Sequence, residues 1–428
     1  MNVSFEDIAC ILSPLGFISS DDGGKELCDL YLQRTQQLNQ NELSTFGKMC
    51  YTGCLDGITK ILESEDIPHL DAAETPLKLG YATLIVLGAQ RISRIAPKQP
   101  KKKIAKVSPF KHIESLSHLI SMGLDVDVPS IAGFTALHHA VTATNKCDEP
   151  ELELARILVT EGQANVNYQD QFGKVPLFGA VKRNHVSAVE LLMQSGADLY
   201  IPDADGCSPD GWYMGYGPQV TAVITKWMDR RKGVVLPRAE KQCDNCARRD
   251  ATLKNCAECQ VFRYCSGECQ AEHWPMHKLT CKPFTPENSV TVKPSYGFES
   301  LPFGQMMSTA NLIRGATGVP AIPQTAAQQR VANIPKNLTP SKPKSIVIKV
   351  QPPFTSGAPS SMPMLVYTKK RDLTCYIIKR DNPRQYEQLA KVIREKGVGG
   401  AKGYFVAILK SKDELVIRTS DVLAAQPF

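Results

Sequence analysis

The sequence has no hydrophobic run long enough to cross a membrane. YATLIVLGA at Tyr81 falls far short of the roughly 20 apolar residues that a spanning helix needs. The N-terminus, MNVSFEDIACILSPLG, lacks the basic opening of a secretory leader, so an intracellular chain without a membrane anchor is expected. Much of the surplus of 50 Lys and Arg over 43 Asp and Glu, +7 in all, sits in the run Lys98, Lys101, Lys102, Lys103 and Lys106, which reads as a solvated loop, with a nuclear-import or acidic-partner patch as the alternative. A glycine-rich stretch, GVGGAKG from Gly397 to Gly403, ends a helical pattern and enters a strand-like one. A phosphate cradle follows a strand and opens a helix, so this stretch reads as a turn. With 43% hydrophobic residues the chain can fill two ordinary cores.

Cysteine is plentiful and unevenly spread. Seven of the 14 (Cys10, Cys28, Cys50, Cys54, Cys147, Cys207, Cys375) are scattered, mostly in apolar helical surroundings, as reduced thiols of an intracellular protein would be. The other seven fall between Cys243 and Cys281, in CDNC, CAEC, YCSGEC and HWPMHKLTC. Two CxxC pairs, a CxxxC pair and an HxxxC pair form four half-sites, and eight thiolate and imidazole ligands suit two closed, non-catalytic zinc sites. Spacing alone leaves the pairing of half-sites open. It also leaves His273 and His277, four apart on one helical face, as rival ligands.

The order CxxC, CxxC, YCxxxCQ, HWxxHKxxxC resembles the MYND zinc finger over the whole of 243–281. The resemblance implies interleaving: Cys243, Cys246, Cys265 and Cys269 hold one Zn2+, and Cys256, Cys259, His277 and Cys281 the other, with His273 and Trp274 left to packing. It also implies peptide recognition, which here would fall near Gln260, Phe262, Gln270 and Trp274. About forty residues cannot bury an adequate core, so the metal must supply the fold, with Phe262, Tyr264 and Trp274 as a small apolar centre. From Arg238 to Pro283 eight bases face six acids; seven thiolates and two divalent ions bring the loaded module near −1. That balance disfavours DNA and favours protein partners.

Upstream, the sequence repeats itself. GFTALHHAV begins at Gly133, GKVPLFGAV at Gly173 and a worn GCSPDGWYM at Gly206, spacings of 40 and 33 residues. LISMGLDVDV, LVTEGQANVN and LMQSGADLYI follow the same order. A period near 33 with TALHHA and SGAD signatures resembles ankyrin repeats, and the longer first interval fits an insertion near Asn145 to Glu151. Units of this kind stack to bury their apolar faces, so more are expected upstream, at Glu74 to Ile92 with HIESLSHLISMG and at GKMCYTGCLDGITKILES. Leu137, Ala140, Leu177 and Ala180 are the expected interior positions. His138 reads as a backbone-bonding residue, not a catalytic one, and Asp210 to Met228 as a closing cap.

Residues 283–344 are rich in Pro, Ser, Thr and Gln and read as a linker. NIPKNLTPSKP within them (Asn333 to Pro343) is a near match to a proline-leucine ligand. Beyond it SIVIKVQ, MLVYTKK, LTCYIIKR, GYFVAILK and ELVIRTSDVL alternate as strands, and PRQYEQLAKVIREKG reads as a helix starting near Pro383. The expected architecture is multidomain: an N-terminal helical cap (1–43), an α-helical ankyrin solenoid (44–232, clearest at 133–203) with a basic insertion (93–111, including Lys101 to Lys103), the two-zinc MYND finger (243–281), the linker, and a C-terminal α+β domain (345–428). The expected function is a non-enzymatic adaptor for other proteins, proline-rich peptides among them, in the cytoplasm, the nucleus or both. The alternatives are a chromatin- or transcription-associated regulator and, third, a MYND-bearing methyltransferase.

Overall fold

The computed structural model describes residues 16–64, 67–95, 110–142, 149–296, 332–335, 338, 343–353 and 362–428. Most of the basic insertion, of the Asn145 to Glu151 insertion and of the linker lies outside the described residues, as does the start of the N-terminal segment. The chain divides into two compact units, Met1–Val220 and Thr221–Phe428.

The first unit is helical. After α1 (Gly24–Gln36) come four helix pairs: α2 (Thr45–Thr52) with α3 (Leu55–Leu62), α4 (Tyr81–Ile95) with α5 (His112–Ser121), α6 (Ala136–Thr142) with α7 (Glu149–Thr160), and α8 (Pro176–Lys182) with α9 (Val186–Gln194). Short turn tips precede the inner helices. Ser130, Asp170 and Asp203 amides donate to the carbonyls of Phe134, Lys174 and Cys207, and Gly133, Gly173 and Gly206 sit at φ +76°, +72° and +73° in the same turn. Neighbouring tips are stitched together: the amides of Ile131, Gln171 and Ala204 donate to the carbonyls of Leu77, Ala132 and Phe172, each at 2.9 Å. Glycine is doubly required here. A Cβ on Gly133 would stand 2.6 Å from the Gln171 nitrogen, and one on Gly173 2.7 Å from that of Ala204.

The Leu77 link shows that the turn preceding α4, between the short strands β1 (Ala73–Glu74) and β2 (Leu79–Gly80), takes the same place as the later tips. Leu137, Ala140, Leu177 and Ala180 are all buried. His138 is held by the Thr135 amide and hydroxyl at Nδ1 (3.2 and 3.0 Å) and bonds the Lys174 carbonyl at Nε2 (3.1 Å). Burial pushes its pKa down to about 4, so it is a neutral strut at physiological pH. At the far end Trp212 packs on Phe178 and Tyr216, with ring centroids 5.1 and 4.8 Å apart. The N-terminal segment departs from the expected end cap: residues 16–38 bond Gln171, Asp205, His139 and Arg91, on several pairs in turn.

In the second unit a six-stranded antiparallel sheet has the order β5-β10-β9-β6-β7-β8. Its strands are β5 (Ser289–Val292), β6 (Lys344–Gln351), β7 (Met364–Thr368), β8 (Thr374–Ile377), β9 (Gly403–Ser411) and β10 (Glu414–Leu423). The helix following β8, Pro383–Lys396, buries Tyr386, Leu389 and Ile393 against Ile348, Val350, Phe405 and Ile417. Gly397 to Gly403 is a turn, with Gly399 and Gly400 at positive φ and a Val398–Lys402 bridge.

One boundary needs correction. The C-terminal domain does not begin at 345, because β5, from the stretch read as linker, is the sheet's first strand and pairs with Leu415 to Arg418. Four residues (Ser289 to Val292) among prolines are too short to stand out from sequence periodicity.

Leu177→Ala is expected to destabilise the helical unit by about 2–5 kcal/mol through lost burial and a residual cavity, and the loss to spread to adjoining pairs. Urea denaturation showing a change below about half a kcal/mol would contradict the observed packing register.

Candidate metal centre

Locally the segment 243–281 is two tight knuckles, a two-strand ribbon and a helix. The ribbon pairs β3 (Lys254–Asn255) with β4 (Arg263–Tyr264), and the helix, here α11, spans Gly267–His277; the intervening α10 is Pro218–Arg231 and the sheet helix is α12. Ser266 caps α11, its hydroxyl accepting from the Cys269 amide (3.2 Å). Ala247 and Gln260, one residue beyond each CxxC, adopt φ +58° and +59° and curl the chain back around the thiols.

Two clusters result, Cys243/Cys246/Cys265/Cys269 and Cys256/Cys259/His277/Cys281, each with its four ligand atoms within 4.8 Å of one another. Sulfur pairs stand 3.6 Å (Cys246–Cys265), 3.5 Å (Cys265–Cys269) and 3.8 Å (Cys256–Cys281) apart, and Cys259 Sγ is 3.4 Å from His277 Nε2. Tetrahedral zinc at its usual bond lengths needs edges of about 3.8 Å between sulfurs and about 3.6 Å from sulfur to nitrogen. The donor sets therefore fit Zn2+. The pairing is interleaved, with α11 carrying Cys269 to one cluster and His277 to the other.

Backbone amides prepare the thiols. Cys265 and Val261 amides point at the sulfurs of Cys243 and Cys259, both at 3.5 Å. Burial alone would raise the Cys243 thiol, but the amides of Cys246, Asn245 and Cys265 outweigh it and bring the pKa down to about 6.

Tyr264 decides between the histidines. Its buried hydroxyl bonds Nδ1 of His277 at 2.6 Å and Nδ1 of His273 at 2.9 Å. His277 thus keeps Nε2 for the metal, while His273 holds the phenol from outside. Such an outer partner fixes the tautomer and angle of a ligating ring.

Arg238 went unnoticed in the sequence except as a charge. It donates to the carbonyls of Val261 (2.9 Å) and Gln260 (2.5 Å), bracing the second knuckle. Burial, followed by repulsion from Arg263, lowers its pKa to about 10, so it stays charged. Glu240 ties this lead-in to Lys226, Arg230 and Arg249 at 3.2, 3.0 and 3.6 Å.

The four residues read as peptide contacts are divided. Gln270 and Trp274 stand one turn apart on α11 and so share a face. Gln260 turns its amide onto the Ala257 carbonyl of its own knuckle (2.8 Å). Phe262 packs on His277, ring centroids 4.4 Å apart, and lines a cavity of about 210 Å³ with Arg230, Val235, Pro237 and Glu240. The expected apolar centre is only partly formed as anticipated. Tyr264 and Val261 are buried, Phe262 is half-buried and Trp274 is 42% exposed, because the metal clusters leave little interior for an indole.

Residues 243–281 match the family model described as MYND finger, and residues 104–203 that of ankyrin repeats, in three copies. The segment 243–281 is a MYND finger. Among known proteins, the chain is similar to the N-lysine methyltransferase SMYD2 of Gallus gallus, 39% identical over 64 residues, which are 15% of this chain and 12% of that protein. Histone-lysine N-methyltransferase SMYD3 of Homo sapiens is 45% identical over 40 residues, 9% of each chain. Palmitoyltransferase Hip14 of Drosophila melanogaster is 30% identical over 105 residues, 24% of this chain and 16% of that protein. The chain thus spans about a tenth to a sixth of the length of these relatives. The two clusters fit the two zinc sites of the MYND finger.

Tyr264→Phe is expected to weaken zinc at the His277 cluster by about 10- to 100-fold while leaving the all-cysteine cluster intact. Chelator competition read by metal analysis tests this; two equally retained zincs would contradict the role given to the phenol. Cys256→Ser is expected to release one zinc and unfold the finger, since structural zinc contributes about 10–16 kcal/mol.

Proposed function

We propose that the chain is a non-enzymatic adaptor that brings proteins together through its ankyrin repeats and a MYND finger loaded with two zinc ions. The observation carrying this reading is the closure of both clusters: four protein ligands each leave no coordination position for water or substrate. Zinc here is structural, and what the finger offers outward is surface.

That surface is apolar where a peptide would need it. Trp274 is 42% exposed on α11 with Gln270 one turn before it on the same face, while Met276 and Leu279, 68% and 71% exposed, lie further round the axis. An exposed indole with a flanking amide suits an extended proline-rich segment, whose rings stack while its carbonyls accept hydrogen bonds. The near-neutral charge of the loaded finger supports a protein partner over a nucleic acid. An intracellular location, in cytoplasm or nucleus, goes with this reading.

Trp274→Ala and Gln270→Ala are each expected to weaken binding of a proline-rich peptide several-fold with zinc content unchanged, since neither side chain is a ligand or deeply buried. Calorimetric titration alongside metal analysis reads both. Unchanged affinity in both variants would remove this face as the contact. Methyl transfer from a labelled donor by the full chain would replace the adaptor reading with an enzymatic one.

A further inference from the structure

The inner face of an ankyrin stack, formed by turn tips and inner helices, is the surface such arrays present to partners, yet here the chain's own N-terminal segment lies across it. The Gln171 side chain donates to the Gly16 carbonyl (3.0 Å), and the Ile18 amide donates to the Gln171 carbonyl (2.9 Å). At the next tip Ser20 donates to the Asp205 carboxylate through its amide (2.7 Å) and its hydroxyl (2.6 Å).

The segment then enters α1 and crosses α6, where Tyr31 is fully buried. Its ring centroid lies 5.0 Å from that of Phe134, and its hydroxyl bonds His139 Nε2 at 3.0 Å. At the end of the helix, Arg91 of α4 donates to the carbonyls of Thr35 (2.8 Å) and Leu38 (3.1 Å), satisfying acceptors that the helix end leaves open. From Asp205 back to Arg91, one strap touches three of the helix pairs and the last tip.

The strap is held by complementary chemistry but is weak by itself. It presents Asp21, Asp22, Glu26 and Asp29, and on Lys182 of α8, whose pKa burial and then Lys174 lower, Asp29 acts in the opposite sense. Its helix has 13 residues, starts at Gly24 and has no side-chain cap at its first turn. A helix so short and poorly capped is marginal in water, so its order comes from the face beneath it. Segments of that kind exchange with competitors of like chemistry.

We propose that the inner face of the helical unit is an interaction surface for an acidic amphipathic helix carrying a buried aromatic residue, and that residues 16–38 occupy it in cis until such a partner displaces them. This rests on the adaptor reading and adds to it the kind of partner and the step that precedes binding. The apparent affinity for a partner then equals its intrinsic affinity multiplied by the fraction of time the strap is open.

The test uses the full chain and a fluorescent synthetic peptide of residues 16–38. Ser20→Glu sets a second carboxylate against Asp205, and Tyr31→Ala removes the anchor; both together free the strap. Fluorescence anisotropy is expected to show the released variant binding the peptide at least about ten-fold more tightly than the wild type, which corresponds to a strap open less than about a tenth of the time. Adding Lys182→Glu is expected to reduce that gain. Hydrogen exchange over residues 16–38 reports release independently, and Ser20→Glu alone serves if the double variant loses its helical signal. Rapid exchange in 16–38 with no tighter peptide binding would overturn the proposal. Failure of the adaptor reading looks different: methyl transfer by the chain, with the peptide result standing.

Discussion

Tetrahedral coordination by thiolate and imidazole is the constraint on which the finger depends, because it has almost nothing else to fold around. Its buried apolar residues are few, while each structural zinc contributes about 10–16 kcal/mol, comparable to the whole net stability of an ordinary domain, about 5–15 kcal/mol. Interleaving turns that energy into architecture. With Cys269 and His277 on one helix, neither site can form without fixing the orientation of α11 for the other. The consequence extends to the sheet. Arg238, braced on the second knuckle, offers its carbonyl to Gln426 (3.2 Å), and the Lys282 carbonyl, next to the last ligand, accepts from Arg418 (2.5 Å). Arg418 is 2% exposed and paired with Asp421, so the sheet's final strand and the residues just after it are fastened to the two ends of the finger.

The helical unit is held in a different way. Its cohesion is a ladder of backbone hydrogen bonds from tip to tip together with apolar faces between pairs, and each rung involves only neighbours. A metal site concentrates stability in eight side chains. A stack spreads it over many, which leaves its outer surfaces free to vary.

Much of this was legible in the sequence for identifiable reasons. Cysteine spacing reports coordination because a knuckle needs both ligands within one tight turn, and the GFTALHHAV pattern reports a tip because Gly133 and His138 each have one stereochemical task. The strands of the C-terminal sheet showed through β-branched alternation, save for β5, whose four residues are below the length at which periodicity speaks. Other features lay beyond reach because they are contacts between distant segments. Nothing in Tyr31 announces a partnership with His139, 108 positions away. Nothing in Tyr264 distinguishes a core ring from a phenol holding a zinc ligand. Trp274, expected in the finger's centre because an indole is usually buried, stands 42% exposed on α11.

The strand order of the sheet bears on how the chain is made. β5 follows the finger directly, yet its only neighbour among the described strands, β10, lies more than a hundred residues further along. At ribosomal rates of roughly 5–20 residues per second, β5 waits roughly 6–24 s for a partner after it emerges. During that interval its unpaired amides and carbonyls form a template that another chain could extend. The helix pairs, whose rungs join neighbours, need no such wait, although the strap that bonds Asp205 from Ser20 does. The loaded finger beside β5 would then be the first ordered surface of the second unit, and nascent chains short of metal would leave both the knuckles and this strand uncovered together.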